Sequence, residues 1–385
     1  MKIIFYCQYV FGVGHLFRSI ELVRKLSGHE VILVVGGPEV DIDIPSHVKL
    51  VRLPALYMDE AFTTLIPQIP TRSVEQIQDE RKATLFSLFK QVKPELFIVE
   101  LYPFGRTIFG FELMPVLQAI RNGTFGNVQT ACSLRDILVK KRDPIEYEQR
   151  VLGILNEMFD YLLIHSDADV FPLDETFSRT SDINIPVLYT GFVTKSVHQK
   201  PTEASNTMLN DHGKQTRIVA SAGGGRSGYR LLSNVVDACL LLQDSNPVQL
   251  QLFTGPFMDP DEFMQIAEKA QTDIHVHRFT KNFVDCLTNA DVSVSMAGYN
   301  TCMDILTTKV PALVWPYPKD QEQNIRAKRL ARFGVLHVLN DKDLHPDRLV
   351  LRLKQMLSKD ATSSVNIDLN GAVNTAKWIE GLEKF

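Results

Sequence analysis

The sequence predicts an α/β protein built from two doubly wound domains. Three observations carry the prediction. Short β-branched runs alternate with helical stretches, the rhythm breaks once near the middle and restarts, and each half opens with a strand followed by a glycine turn. Short apolar runs between helices are what a parallel sheet buried on both faces requires. A βαβα order then winds the helices onto both faces of that sheet.

In the first half, strands are expected over 2–7, 31–35, 96–99, 128–131 and 161–165, with helices over 16–26 and 114–121. From about 195 to 216 the pattern collapses into KSVHQKPTEASNTMLNDHGKQT, polar and without period, which is the composition of a linker. Beyond it, strands are expected over 217–221, 248–254, 292–295 and 312–315, and helices over 231–243 and 300–307. The expected domains are therefore 1–195 and 216–385, joined by a linker over 196–215. The last helix, near 372–382, is free to pack on either half.

Composition narrows the function classes. With 385 residues, 45% hydrophobic and 22% charged, the chain has the balance of a soluble globular protein large enough to need no staples. A formal net charge of -4 gives no broad basic field for a nucleic-acid backbone. The Lys140-Lys141-Arg142 cluster reads as a solvated turn. Five scattered cysteines (Cys7, Cys132, Cys239, Cys286, Cys302) lack ligand spacing and read as buried free thiols, not a zinc site. The N-terminus lacks the apolar core and cleavage site of a signal peptide, and no run approaches the ~20 apolar residues of a membrane span. A cytoplasmic protein without a transmembrane segment is expected, and oligomeric state is not encoded legibly.

Three motifs carry chemistry. The first, Gly12-Val13-Gly14-His15, follows the first strand and opens a helix containing Arg18. Glycines there admit a ligand to the backbone, and the helix N-terminus offers free N–H groups. His15 stands at the carboxyl edge of the sheet, where open α/β sheets bind ligands. A glycine turn with a capping histidine is the plainer reading. The second motif, Ser221-Ala222-Gly223-Gly224-Gly225-Arg226-Ser227-Gly228, repeats the strand–turn–helix pattern and suits a diphosphate, with Arg226 able to add charge. The third runs from Asn289 through Gly298, Thr301 and Asp304 to Glu322-Gln323. Thr301 and Asp304 lie one turn apart near a helix start, where a carboxylate is favoured by the dipole and can accept two ribose hydroxyls. A capping arrangement is the alternative. Neither a dinucleotide fingerprint nor a P-loop is present.

Taken together, these residues resemble the inverting glycosyltransferases with two Rossmann-like domains facing across a cleft, the GT-B fold. The sequence is most similar to glycosyltransferase family 28, whose type member transfers N-acetylglucosamine onto the lipid-linked peptidoglycan precursor. It also resembles a bacterial group of predicted glycosyltransferases with G-x-G-H-x-x-R near the start. The resemblance spans both halves and is strongest from Phe279 to Gly334. It implies that Gly14 and His15 face sugar and acceptor, and that Gly224, Gly225 and Gly228, flanked by Arg226 and Ser227, cradle the donor diphosphate. Phe279 and Thr280 would border the base. Gly298, Thr301 and Asp304 would hold phosphate and ribose, and Glu322 and Gln323 the sugar hydroxyls. The chain departs from the family pattern where Met296 replaces an arginine, Asp304 a glutamate, Arg326 an asparagine and Arg18 a proline, and its first glycine loop is shorter. These leave the donor sugar and acceptor open.

Inverting transfer needs a base for the acceptor hydroxyl and a site that stabilises the leaving diphosphate. His15 is the candidate base, and Glu100, at the end of the 96–99 strand, its candidate carboxylate partner. Alternatively, Glu100 forms a structural ion pair with Arg106 or Arg135. The acceptor side is expected to comprise Gly12, Arg18, Tyr102, Arg106, Arg135 and Asp136, although Arg135 and Asp136 also fit a turn network. Backbone amides and helix dipoles make a metal unnecessary, and the spacings Asp41–Asp43 and Asp167–Asp169 read as loop carboxylates; no cofactor is expected. The implied reaction moves a hexose, N-acetylglucosamine foremost, from a UDP-sugar to a small-molecule or lipid-linked acceptor. Two alternatives remain: a nucleotide-sugar 2-epimerase of the same fold, and a non-catalytic nucleotide-sugar-binding partner protein.

Overall fold

A computed structural model describes residues 1–9, 13–37, 39–40, 42–58, 64–68, 71–139, 141–195, 215–243, 247–358 and 366–382. The expected linker, apart from Gln215, lies outside these, as do Gly12, Lys140 and Asp41. The chain divides into two compact units, Met1–Val193 with Ile367–Phe385, and Thr194–Asn366.

The N-terminal unit contains β1 (Lys2–Cys7), α1 (Gly14–Arg24), β2 (Glu30–Val35), β3 (Val48–Arg52), β4 (Leu56–Met58), β5 (Leu65–Pro67) and α2 (Val74–Val92). It continues through β6 (Leu96–Glu100), α3 (Gly110–Arg121), β7 (Gln129–Leu134), α4 (Pro144–Met158), β8 (Tyr161–Ile164) and β9 (Val187–Tyr189). Seven strands form one sheet in the order β3-β2-β1-β6-β7-β8-β9. Every pairing in it is parallel, while β4 and β5 pair separately and antiparallel. The strands are buried on both faces. Ile4, Tyr6, Phe97 and Val99 pack under α2, α3 and α4. Ile3, Phe5, Leu96 and Ile98 pack under α1 on the opposite face.

Helix starts follow their caps. Ser73 closes a capping box with Gln76 at the start of α2, and the Asp143 carboxylate accepts the Glu146 amide at the start of α4. Each such cap contributes about 1 kcal/mol.

The C-terminal unit contains β10 (Thr216–Ser221), α5 (Tyr229–Gln243), β11 (Val248–Phe253), α6 (Pro260–Lys269), β12 (Ile274–His277), α7 (Phe283–Thr288) and β13 (Val292–Met296). Next come α8 (Tyr299–Thr308), β14 (Ala312–Trp315), α9 (Gln321–Arg332), β15 (His337–Val338) and α10 (Pro346–Leu357). Its sheet runs β12-β11-β10-β13-β14-β15, again with every pairing parallel. The core lies where Val292, Val294 and Met296 meet α5 and α10.

The final helix, α11 (Gly371–Leu382), belongs to the N-terminal unit, where it packs on α1. Ala372, Ala376 and Ile379 join the cluster beneath α1, and Trp378 meets Tyr161 edge-on at 5.0 Å. This apolar stripe places the helix with residues far away in sequence. No helix among the described residues is long and apolar enough to cross a membrane.

Candidate active site

In both sheets the strand order reverses beside the first strand, between β1 and β6 and between β10 and β13. Chain ends of neighbouring strands splay apart there, and open α/β sheets bind ligands at that position.

At the first reversal, β1 and β6 pair in register, Tyr6 with Val99. The turn after β1 leads into α1, and His15 occupies its first turn. Glu100 ends β6. His15 Nδ1 lies 2.6 Å from Glu100 Oε1, with the glutamate side chain fully buried and the histidine 13% exposed. Arg18, one turn further along α1, pairs through Nη2 with the same Glu100 oxygen. The Glu100 carboxylate is thus engaged by His15 and Arg18, and the charges of Arg106 and Arg135 also act on the site.

The electrostatics follow from burial and from this crowd of charges. Burial, aided by Arg135 and Arg106, outweighs the pull of Glu100 and lowers the His15 pKa to about 4. Burial pushes Glu100 upward, but His15, Arg18 and Arg106 overcome it and hold the carboxyl at about 2. Near neutral pH the pair is thus a neutral imidazole against a carboxylate. An ionised carboxylate only accepts, so Nδ1 carries the proton and Nε2 is the basic atom.

A second histidine, which the sequence reading took only as the end of a strand, is buried within reach of the charges of Arg18 and Glu100. His165 Nε2 meets Ser133 Oγ at 2.8 Å and its Nδ1 meets Thr190 Oγ1 at 2.8 Å. Burial, with Arg18 assisting, pushes it down to about 3.

Two residues expected on the acceptor side are buried. Arg18 is 2% exposed and pairs with Glu100 beside His15, and Tyr102 is 2% exposed and belongs to the core cluster of the N-terminal unit. The loop after Glu100 is tight. Leu101 and Arg106 both adopt left-handed backbone (φ 67 and 57), and Gly105 N donates to Leu101 O at 2.9 Å. Left-handed backbone at a non-glycine residue costs of order 1 kcal/mol and clusters at functional sites. Arg106 is half-buried in this loop, with its Nε fully buried. Asp136, also expected at the acceptor, is 3% exposed.

At the second reversal, the glycine corner splits into two roles. A Cβ on Gly225 (φ +98) would meet Thr254 O at 2.5 Å, and one on Gly228 would meet Ala222 Cβ at 2.1 Å. These two glycines are required by packing. By contrast, a Cβ on Gly223 or Gly224 would meet nothing closer than 3.9 Å and 3.8 Å, respectively. Gly255, absent from the sequence expectations, completes the corner, since its Cβ would strike Gly223 O at 2.4 Å. An isolated glycine directly after a strand was the available signal. The amides of Gly223, Gly225 and Gly228 bond within the turn, whereas those of Gly224 and Ser227 bond to no described residue. Arg226 lies over the Phe257 ring at 5.6 Å.

Gly298 caps α8, and Cβ atoms built on Gly223 and Gly298 would each lie 3.9 Å from Thr301 Oγ1. The two glycine corners thus converge on one hydroxyl. Asp304, one turn along, is 4% exposed, and Lys195 Nζ lies 3.9 Å from its Oδ2. Glu322 and Gln323 open α9 but have partners. Glu322 Oε1 binds Arg326 Nη2 at 2.7 Å, and the Gln323 side chain bridges Asp320 and the Tyr317 amide. Arg326 is fully buried and also donates to Ala297 O at 3.0 Å, so it ties the end of β13 to α9. Its spacing of four from Glu322 was the legible sign. Phe279 is 47% exposed, an uncommon state for a large ring, and Thr280 Oγ1 accepts the Asn282 amide at 3.1 Å.

This architecture is that of the GT-B glycosyltransferases. Residues 221–377 match the glycosyltransferase family 28 C-terminal domain, and in that portion the chain is family 28-like. An uncharacterized glycosyltransferase from Methanosarcina mazei is 24% identical over 86% of this chain and 83% of its own length. The UDP-N-acetylglucosamine--N-acetylmuramyl-(pentapeptide) pyrophosphoryl-undecaprenol N-acetylglucosamine transferase of Prochlorococcus marinus is 27% identical over 27% of this chain. The chain spans 30% of that relative's length and 36% of the homologous enzyme from Bartonella henselae. Among solved structures, the Acinetobacter baumannii MurG superposes with a TM-score of 0.55 at 15% identity, covering all of both chains. The kitacinnamycin glycosyltransferase does so with a TM-score of 0.64 at 17% identity, over 100% of this chain and 98% of its own. These likenesses show the fold.

Proposed function

We propose that this protein is an inverting glycosyltransferase that moves a hexose, N-acetylglucosamine foremost, from a UDP-sugar to a small-molecule or lipid-linked acceptor. The observation that carries this reading is the glycine corner at Gly223–Gly228, which leaves the Gly224 and Ser227 amides unused inside a family 28 domain. In this reading those amides and the start of α5 receive the donor diphosphate. Thr301 and Asp304 take phosphate and ribose, with Arg326 and Lys195 positioning the loops around them. Phe279 and Thr280 border the base.

His15 Nε2 removes the acceptor proton, and the freed oxygen attacks the anomeric carbon. The bond from that carbon to the diphosphate breaks, and UDP leaves with the electron pair. Glu100 stabilises the imidazolium that forms, and backbone amides stabilise the leaving diphosphate.

The test has two parts. Titration with UDP, ADP and GDP is expected to show tightest binding for UDP. Product analysis by NMR is expected to show a β-linkage from an α-linked donor. A retained α-linkage, or no nucleotide binding, sinks the reading.

A second reading has one supporting observation. A putative UDP-N-acetylglucosamine 2-epimerase from Listeria monocytogenes shares the fold with a TM-score of 0.63 at 12% identity, over 100% of this chain and 96% of its own. Incubation with UDP-N-acetylglucosamine alone separates the two. An epimerase yields the C2 epimer, and a transferase releases only UDP, slowly, to water.

A further inference from the structure

The N-terminal unit holds a cavity of about 490 Å³ beside the loop that follows Glu100. Arg106, Lys141 and Arg150 line it, together with Tyr147, Asp143 and Glu146. Its floor is aromatic. The Tyr147 ring is 8% exposed and fixed by a 2.8 Å bond from its hydroxyl to Phe104 O. Lys141 Nζ and the Arg150 guanidinium stand over that ring, 5.5 and 5.8 Å from its centroid.

Three cations therefore converge where two carboxylates are available, and Asp143 is already engaged as the α4 cap. Two cations over one ring repel each other, and Lys141 is lowered by burial and by Arg150. Arg106 Nε is buried with no hydrogen-bond partner among the described residues. Burial lowers Arg106, and Arg135 adds to that. A buried donor left unbonded is destabilising, and an incoming oxyanion offers it an acceptor. Arg106 is also the link to the chemistry, because its charge acts on both His15 and Glu100.

We propose that this cavity binds an oxyanion of the acceptor, a carboxylate or a phosphate, between Arg106, Lys141 and Arg150, with the acceptor body against Tyr147. The assignment rests on the transferase reading insofar as it calls the ligand the acceptor. The anion site itself does not depend on that reading. Guanidinium groups bind carboxylate and phosphate in a fork, and the ammonium adds a point charge. The acceptor hydroxyl would then be presented toward His15 by a group that takes no part in the reaction.

Matched probes test it on the full chain by calorimetry: 4-hydroxybenzoate against 4-hydroxybenzyl alcohol, and glucose 6-phosphate against glucose. The anionic member of at least one pair is expected to bind about 10-fold tighter or more, and to weaken as salt rises. Which pair discriminates more tells carboxylate from phosphate. Lys141→Ala/Arg150→Ala alters two exposed side chains and is expected to fold normally while losing about 10-fold in anion affinity. Arg106→Lys is expected to lose less, since it keeps the charge without the fork. Equal binding of charged and neutral probes, no binding of either anion, or wild-type affinity in the double variant overturns the proposal. UDP titrated into the same samples keeps the two readings apart. Anion binding without UDP binding sinks the donor assignment alone, and UDP binding without anion binding sinks this site alone.

Discussion

His15 and Glu100 touch at 2.6 Å across 85 residues of chain, because β1 and β6 are neighbours at the point where the strand order reverses. The contact is therefore a product of topology and disappears with the fold. Glu100 has two duties there, since it orients His15 and neutralises Arg18. Glu100→Gln keeps the volume but removes both. It is expected to cut transfer by about 10³-fold and to destabilise the chain by about 3–5 kcal/mol, because it removes the buried carboxylate charge that faces the Arg18 guanidinium. Steady-state kinetics and urea unfolding check the two halves of that prediction. Wild-type stability in the variant would mean that Arg18 finds another counter-charge.

His15→Ala separates chemistry from binding. The His15 hydrogen-bond partners Glu100 and Arg18 lie within the N-terminal unit, whereas the proposed diphosphate cradle belongs to the C-terminal unit. Transfer is expected to fall by about 10²–10⁴-fold while UDP affinity stays within twofold, about the size of the measurement error. A variant that still transfers at the wild-type rate removes His15 from the mechanism and leaves the family 28 likeness intact.

The pH dependence follows from the same burial. His15 is lowered to about 4, so the base stays unprotonated through the range where an ordinary histidine titrates. The acid limb of kcat/KM is expected well below pH 6.5, approaching pH 4, with UDP release as the assay. Stability has the same sign. His15 and His165 are depressed in the folded state, to about 4 and about 3, so below pH 6.5 the unfolded chain takes up protons that the folded chain refuses. That stability is fully present above pH 6.5 and is lost as pH falls through the folded values, with Glu100 adding a further loss between 4.5 and about 2. Chemical denaturation between pH 4 and 7 measures it, and an acid limb near 6.5 would assign the base to a solvated group.

How far the sequence exposed these features depends on what each one needs. Both sheets, the glycine corners, and the places of His15 and Glu100 at strand ends were legible because period, punctuation and strand ends are local signals, whereas the pairing of the two rested on the family resemblance. The role of Arg18 was not. Its counter-charge comes from a strand that only the fold brings near, so in sequence it reads as a group for the acceptor and not as the buried partner of Glu100. Tyr102 failed for the opposite reason. It lies in a loop rich in chemistry, yet its ring is committed to the core. The docking of α11 on α1 rested on an apolar stripe whose partner no sequence window contains. Gly225 and Gly228 were read as ligand-facing, and the structure gives them packing duties that only three-dimensional neighbours define.

That last distinction yields a paired test. Gly225 has φ +98, and an added Cβ would lie 2.5 Å from Thr254 O and 2.8 Å from Met258 N, both backbone atoms that cannot turn aside. Gly224 has ordinary backbone, and its added Cβ would touch only the Phe257 ring at 3.8 Å. Gly225→Ala is expected to destabilise the C-terminal unit by about 2 kcal/mol or more, from left-handed strain plus collision. Gly224→Ala is expected to leave stability within about 0.5 kcal/mol, since it meets no clash. UDP affinity discriminates further. A methyl group at Gly224 would stand where a diphosphate approaches the free amide, so affinity is expected to drop about 10-fold without loss of fold. Thermal melts with and without UDP read both effects, because ligand stabilisation scales with affinity. If Gly224→Ala bound UDP as the wild type does, the Gly224 amide would not be part of the phosphate cradle.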